Sequence, residues 1–304
     1  MGTGMTGLLG LYLSTFAKLA PLLACASVGF IWARRQHPFA GSFVTLLVTT
    51  VATPALVFHT LATARLDSLR IIEIFVASFV GLAIVGVLSW IGLRVLKLPV
   101  RSFFQTAWIP NAGNLGIPVS QIAFGDEGLP VAVAFFAVST FLTHTVGVKI
   151  LTGSSGGRAW QNPVLLASVL AVVLRLLDWT LPHWVLASVQ LIGSITVPLM
   201  LLSLGYSLFN IPRSGLSTGA AITSVRFLAG WIAGALVFHL SGLDPLLDGV
   251  ISLQLSMPCA VASYMFASRD SDRGDDSAGA VLVSTLLFVL AAPLMFWLAS
   301  SGGW

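Results

Sequence analysis

The sequence predicts an all-α polytopic membrane protein with ten transmembrane helices. Three observations predict it. Hydrophobic residues make up 57% of the 304 positions and charged residues 9%, far from the mix of a soluble domain. Apolar stretches of roughly 20 residues recur along the chain between short polar joints. No joint is long enough for a soluble domain, so any chemistry must lie within the spans. The formal charge of +4 is no nucleic-acid signal, because the basic residues sit in joints, where they set topology.

Span 1 covers 8–33 and is closed by Arg34-Arg35-Gln36-His37-Pro38. Its start has no basic n-region and no A-x-A-like site, so it is expected to remain as a helix. Span 2, 40–62, contains Pro54; span 3, 72–93, lies between Arg65 and Arg70 on one side and Arg94, Lys97 and Arg101 on the other. Span 4, 103–124, is interrupted by "IPNAGNLGIP", and span 5, 130–148, ends at Lys149. The glycine- and serine-rich "TGSSGGRAWQNP" leads to span 6, 163–181, and span 7, 184–209, carries Pro198. Span 8, 216–241, holds Arg226; span 9, 247–268, holds Pro258; span 10, 278–299, follows Arg269 and Arg273. Odd-numbered joints hold ten Lys and Arg residues, including Arg158 and Arg213, against Arg65, Arg70 and Arg175 in the even ones. That bias places the odd joints in the cytoplasm and both termini outside.

The chain also repeats itself. Pro21 matches Pro163, Pro54 matches Pro198, Pro110 matches Pro258, and Val138-Ser139-Thr140 recurs as Val283-Ser284-Thr285. The four offsets, 142, 144, 148 and 145, keep the same order and drift by only six. A five-helix unit used twice follows, 1–151 and 163–304. Five is odd, so the second copy enters the membrane inverted, as in many secondary transporters.

The interruption of span 4 has a partner in span 9. From Arg101 to Asn111 is ten residues, ~15 Å of helix and half of a ~30 Å hydrocarbon layer. Asp248 to Pro258 is also ten residues, entering from the opposite side. Irregular backbone at that depth is tolerated only when buried in protein or lining a wet cavity. Pro110 disturbs the helix before it, Gly113 and Gly116 permit unwinding, and Pro118 suits the first turn of the helix that resumes. Each resumed half points an amino end, with free N–H groups and about half a positive charge, at the membrane centre. With the amides of Asn111 and Asn114, two such ends make a berth for a carboxylate. Gln254, Ser256 and Ser263 could add polar contacts from span 9, while Pro258 shapes its break.

Other classes find less support. All eleven acids fall in joints or at span ends, which argues against a proton pump or cation antiporter. Lys18 and Arg226 lie within spans, each either an anchor whose head snorkels to an interface or an attractor for an anion. His59, His144 and His239 sit near span ends, where interfacial structural roles are expected. Cys25 and Cys259 are each alone in an apolar stretch, so neither a disulfide nor a zinc site is expected. No H-E-x-x-H, metal-ligand set or nucleophile–base pair appears in a span; Thr15-x-x-Lys18 is only a superficial echo of one. The chain is therefore not read as an enzyme, and no cofactor is expected.

"IPNAGNLGIPVSQIAFG", the Asn162-Pro163 that opens span 6, "MPCAVASYMFA" and "VSTLLFVLAAPL" together resemble the auxin efflux carrier family. That family includes plant auxin exporters and bacterial carriers of malonate and related acids; Asn114 matches the bacterial branch better. The resemblance covers nearly the whole chain. It implies a five-plus-five inverted repeat with crossing, broken helices 4 and 9. It also implies organic-anion transport by an elevator-like movement, usually in a homodimer. The large loop of many plant members is reduced here to "TGSSGGRAWQNP", and Ala262 stands where many bacterial members carry asparagine. The expectation is a plasma-membrane (inner-membrane) secondary carrier of a small mono- or dicarboxylate. Spans 1, 2, 6 and 7 would form the scaffold, and spans 3–5 and 8–10 the moving module. The alternative is a sodium-coupled symporter of the bile-acid-carrier type, with Ser139, Thr140, Ser284, Thr285, Gln121 and Gln254 as candidate cation ligands.

Overall fold

The computed structural model describes residues 3–153, 161–212 and 214–301. Arg158 and Arg213, which entered the charge bias, lie outside them, as does the side chain of Thr15. Among the described residues every element is helical, and the one extended contact is an isolated bridge between Pro110 and Cys259. Seven helical stretches are long and apolar enough to cross a membrane: Phe16–Arg34, Gly41–Thr63, Leu69–Val95, Ala112–Thr152, His183–Asn210, Leu216–Leu240 and Gly274–Phe296. Pro163–Leu176 and Pro245–Leu255 are apolar but shorter.

Helix α1 (Thr3–Arg34) is followed by α2 (Gly41–Leu47), which passes through a π-helical turn, Val48–Ala52, into α3 (Thr53–Thr63). Pro54 has no N–H to donate, and in the wider turn before it the Thr53 N–H donates to Val48 O. Asp67 caps α4 (Ser68–Val95) by accepting the Arg70 N–H at 2.8 Å. Helix α5 (Val100–Trp108) stops short, and Ile109 turns into extended backbone. The chain resumes in a π turn, Ala112–Gly116, that leads into α6 (Ile117–Leu142).

The sequence reading ends one span at 124 and begins the next at 130. In the structure the helix is turned at Gly125, whose φ of 66° and ψ of −155° lie in a region essentially reserved for glycine. The limbs on either side fold back together: a Cβ on Gly113 would lie 2.8 Å from the Phe136 ring. A further π turn, Thr143–Gly147, continues into α7 (Val148–Thr152), which ends at left-handed Gly153.

In the second half, Asn162 caps α8 (Pro163–Leu176), accepting the Val164 N–H at 2.9 Å. Helices α9 (His183–Ser194) and α10 (Thr196–Asn210) meet at Ile195, and α11 (Leu216–Leu240) follows. Asp244 caps α12 (Pro245–Leu255), which stops as short as α5 does; α13 (Val261–Asp270) and α14 (Gly274–Ser301) complete the chain.

Packing sorts the helices. Helix α1 lies along α10, and α3 lies against α8 and α9. Helix α11 is surrounded by α4, α12 and α14, with α6 packed on both α4 and α12. Arg175 on α8 donates to the carbonyls of Leu61, Ala62, Ala64 and Leu66 at the end of α3. The sequence counts this residue as a joint charge; in the fold it is a cation at a helix carboxyl end, where the dipole favours it.

Candidate functional site

The two interruptions lie against each other. The Asn111 N–H donates to Pro258 O at 2.8 Å, and the Ala260 N–H donates to Ile109 O at 3.2 Å. These reciprocal bonds make the Pro110–Cys259 bridge and satisfy backbone that neither helix can serve. A third bond braces it: the Cys259 N–H donates to Ser284 Oγ at 3.1 Å. Gly116 allows α6 to pass close to α12, since a Cβ there would lie 2.1 Å from Gln254 Oε1.

On one side of this joint is a cavity of about 200 Å³. The first turns of both resumed helices line it: Ala112, Gly113 and Asn114 from one, Ala260, Ala262 and Ser263 from the other. Helix amino ends carry partial positive charge and N–H groups without intrahelical partners, so the cavity has the electrostatics of an anion site. Of the residues expected from the sequence, Pro110, Asn111, Asn114 and Ser263 line it. Asn111 is buried, with its Nδ2 unpartnered; Ser263 donates to Ala260 O at 2.6 Å.

Gly116, Pro118, Gln254 and Pro258 are not among the lining residues. They shape the joint behind it. Gln254, fully buried, donates from Nε2 to Ser120 Oγ at 3.2 Å, and Pro258 supplies the carbonyl that holds Asn111. Ser256 is likewise buried away from the cavity.

The structure adds lining residues that the sequence reading did not select. Gln105 is buried on α5 with both amide atoms unpartnered, and Thr53, at the start of α3, has an unpartnered Oγ1. A buried amide or hydroxyl without a partner is expensive unless a ligand or water meets it. Thr143, Asn162 and His144 lie further along the same wall. His144 is its only titratable lining side chain among the described residues, and its Nδ1–H donates to Thr140 O at 2.9 Å. Gln105 carried a signal: it is polar, in an apolar half-helix, six residues before Asn111. Thr53 carried only its place beside Pro54.

A second, larger cavity of about 960 Å³ lies toward the even-numbered joints, where Arg65, Arg70, Asp126, Glu127 and Asp244 line it. Leu56 and Val197 line this cavity, while Thr53 and Met200 line the smaller one. On α3 and α10 alike, the two spaces are therefore separated by about one helical turn. The candidate cation ligands are dispersed. Ser139 and Thr140 line the small cavity and Gln121 the large one, while Ser284 is occupied with Cys259 and Val281 O.

Arg226 departs from the anchor reading. It is completely buried and reaches neither interface. Its guanidinium donates to the carbonyls of Ala107 and Trp108, at the end of α5, and of Leu255 and Met257, at and just beyond the end of α12. Lys18, by contrast, is exposed, as an anchoring side chain would be.

Among the described residues every element is helical, many are apolar and of membrane length, and two interrupted helices join in the interior, an architecture found in membrane transporters. A family model described as "Membrane transport protein" matches residues 14–163 and again 151–296. The chain belongs to this family, which is that of the auxin efflux carriers, and it is a multi-pass membrane protein. It is 26% identical over 260 residues to an uncharacterized transporter of Methanothermobacter thermautotrophicus, covering 82% of this chain and 85% of the relative. It is 25% identical over 270 residues to an uncharacterized transporter of Methanocaldococcus jannaschii, covering 83% and 87%.

Proposed function

We propose that this protein is a secondary carrier of a small organic anion, a mono- or dicarboxylate, that binds where the two interrupted helices meet. One observation carries the reading: two helix amino ends and the unpartnered Asn111 amide converge on a single small cavity. Asn111 and Asn114 hold the carboxylate, and Pro110, Gly116, Pro118 and Pro258 keep the break open. Gln105 and Thr53 meet the remainder of the substrate.

The finer architecture follows the same reading: ten spans in a five-plus-five inverted repeat, both termini outside, in the plasma membrane. Its support is the packing. Helix α1 on α10 and α3 on α8 are the same contact under exchange of the halves, and α4 on α11 is its own counterpart. Helices α1–α3 and α8–α10 form the scaffold, and α4–α7 with α11–α14 form the module that moves past it in an elevator-like cycle. The small cavity reaches His144 and Asn162, beside joint 5, and the larger one lies toward the even-numbered joints; with joint 5 in the cytoplasm, the small cavity is the substrate's route to the inside. A homodimer, as the family resemblance implies, presents two such carriers. The dispersed hydroxyls and amides give a sodium-coupled cycle less support.

Thermal unfolding of purified protein against a panel of carboxylates, with sodium and pH varied, tests the proposal. A ligand that binds the folded form raises the melting temperature, and Asn111→Ala removes that rise. If no carboxylate shifts the parent, or if one shifts Asn111→Ala equally, the site is wrong.

A further inference from the structure

The joint has two faces, and Arg226 occupies the one turned away from the small cavity's amino ends. Helices α5 and α12 each end there, and a helix carboxyl end carries about −0.5 of a charge and carbonyls with no intrahelical partner. Two such ends sum to about one negative charge, which a single guanidinium offsets. The geometry matches as well as the charge. A guanidinium offers five N–H donors in a planar fork. Here Nε serves Met257 O at 3.2 Å, Nη2 serves Leu255 O, and Nη1 serves both Trp108 O and Ala107 O, the latter at 3.5 Å. No carboxylate pairs with it among the described residues. Room for the fork comes from Gly230, one turn along α11, where a Cβ would lie 2.4 Å from Leu255 O and 2.9 Å from Nη2.

Carbonyls at half-helix carboxyl ends are the ligands with which interrupted-helix transporters hold a mobile cation. We propose that Arg226 is a built-in cation. Its guanidinium permanently fills a carbonyl-lined site at the joint, and without it this site is a receptor for a free planar cation of the guanidinium class. The tethered charge keeps the two half-helices together without an alkali cation. It therefore acts as a positioning residue, holding in register the amino ends on the other face.

The test uses the full chain in detergent and reads thermal unfolding, so it does not depend on the substrate or on the site assigned above. Parent, Arg226→Ala, Arg226→Met and Arg226→Lys are melted in matched ionic strength with choline, sodium or methylguanidinium. The parent is expected to melt at one temperature in all three salts. Arg226→Ala is expected to melt lower and to recover about half of the loss with methylguanidinium, following ligand-linked stabilisation. Arg226→Met, which fills the space with an uncharged chain, melts low and does not recover. Should the alanine variant fail to accumulate, the other two decide: lysine keeps the charge and must melt above methionine. The proposal is overturned by a parent that sodium stabilises, by an alanine variant that methylguanidinium leaves unchanged, or by a lysine variant no better than methionine.

Discussion

The two faces of the helix joint are built from the same two interrupted helices and have opposite characters. On the carboxyl-end face, the carbonyls of Ala107, Trp108, Leu255 and Met257 converge on Arg226, which is buried without remainder. On the amino-end face, the turns that begin at Ala112 and Val261 open on a cavity. There Asn111 Nδ2, Thr53 Oγ1 and both amide atoms of Gln105 have no partner. Gln254 Oε1 and Ser256 Oγ, behind the joint, are unpartnered as well, so what separates the faces is the cavity: on the amino-end face alone the unpartnered groups border a space that a ligand or water can enter. On the proposed reading, the sealed face holds the joint together and the face with the cavity takes the ligand. Stability and binding should then be separable by mutation, one face at a time.

The largest effect belongs to the sealed face. In Gly230→Ala the added methyl meets the Leu255 carbonyl at 2.4 Å, and main chain cannot step aside as a flexible side chain does. Helices α11 and α12 must part, at a cost of about 1–3 kcal/mol, and the guanidinium is displaced with them. The expected outcome is a lower melting temperature by several degrees with or without ligand. An unchanged melting temperature would show that α11 is free to shift and that the face is not tightly sealed.

Asn111→Ala should do the reverse. The main chain of residue 111 keeps its bond to Pro258 O whatever its side chain, and the lost Nδ2 had no partner. Unliganded stability is expected to stay within about 2–4 °C of the parent, roughly 1 kcal/mol for a chain of this class. Carboxylate affinity, measured by isothermal titration, should fall at least tenfold, about 1.4 kcal/mol. A large loss of stability with intact affinity would exchange the roles of the two faces.

The position of the two breaks was legible in the sequence. Pro110, Gly116, Pro118 and Pro258 mark breaks by their own chemistry, and counting residues inward from Arg101 and Asp248 put both breaks at one depth. The carboxyl-end face was not legible, for a physical reason. The partners of Arg226 are main-chain carbonyls 29 to 119 positions away, and every residue type carries one. Sequence offered only the distance from Arg226 to the end of its own helix, which fits an anchor equally well. Gln105 and Thr53 were missed differently. They share the cavity only because α3 packs beside the joint, a tertiary fact that no local pattern encodes. The turn at Gly125 was legible as a gap between spans, but its backbone geometry was not.

The finest discrimination between the faces falls on Thr53. Valine matches threonine in shape and lacks only the hydroxyl, so Thr53→Val removes the unpartnered Oγ1 and leaves the packing of α3 intact. If that oxygen belongs to the binding face, its removal relieves the fold of an unsatisfied polar atom. Stability is then unchanged or raised by up to about 1 kcal/mol. The same change deprives the ligand of one neutral hydrogen bond, so affinity should fall by about three- to tenfold. Denaturation and titration on one preparation give both numbers. Loss of stability together with unchanged affinity would mean that the hydroxyl serves the fold, and the boundary between the two faces would then run between α3 and the joint.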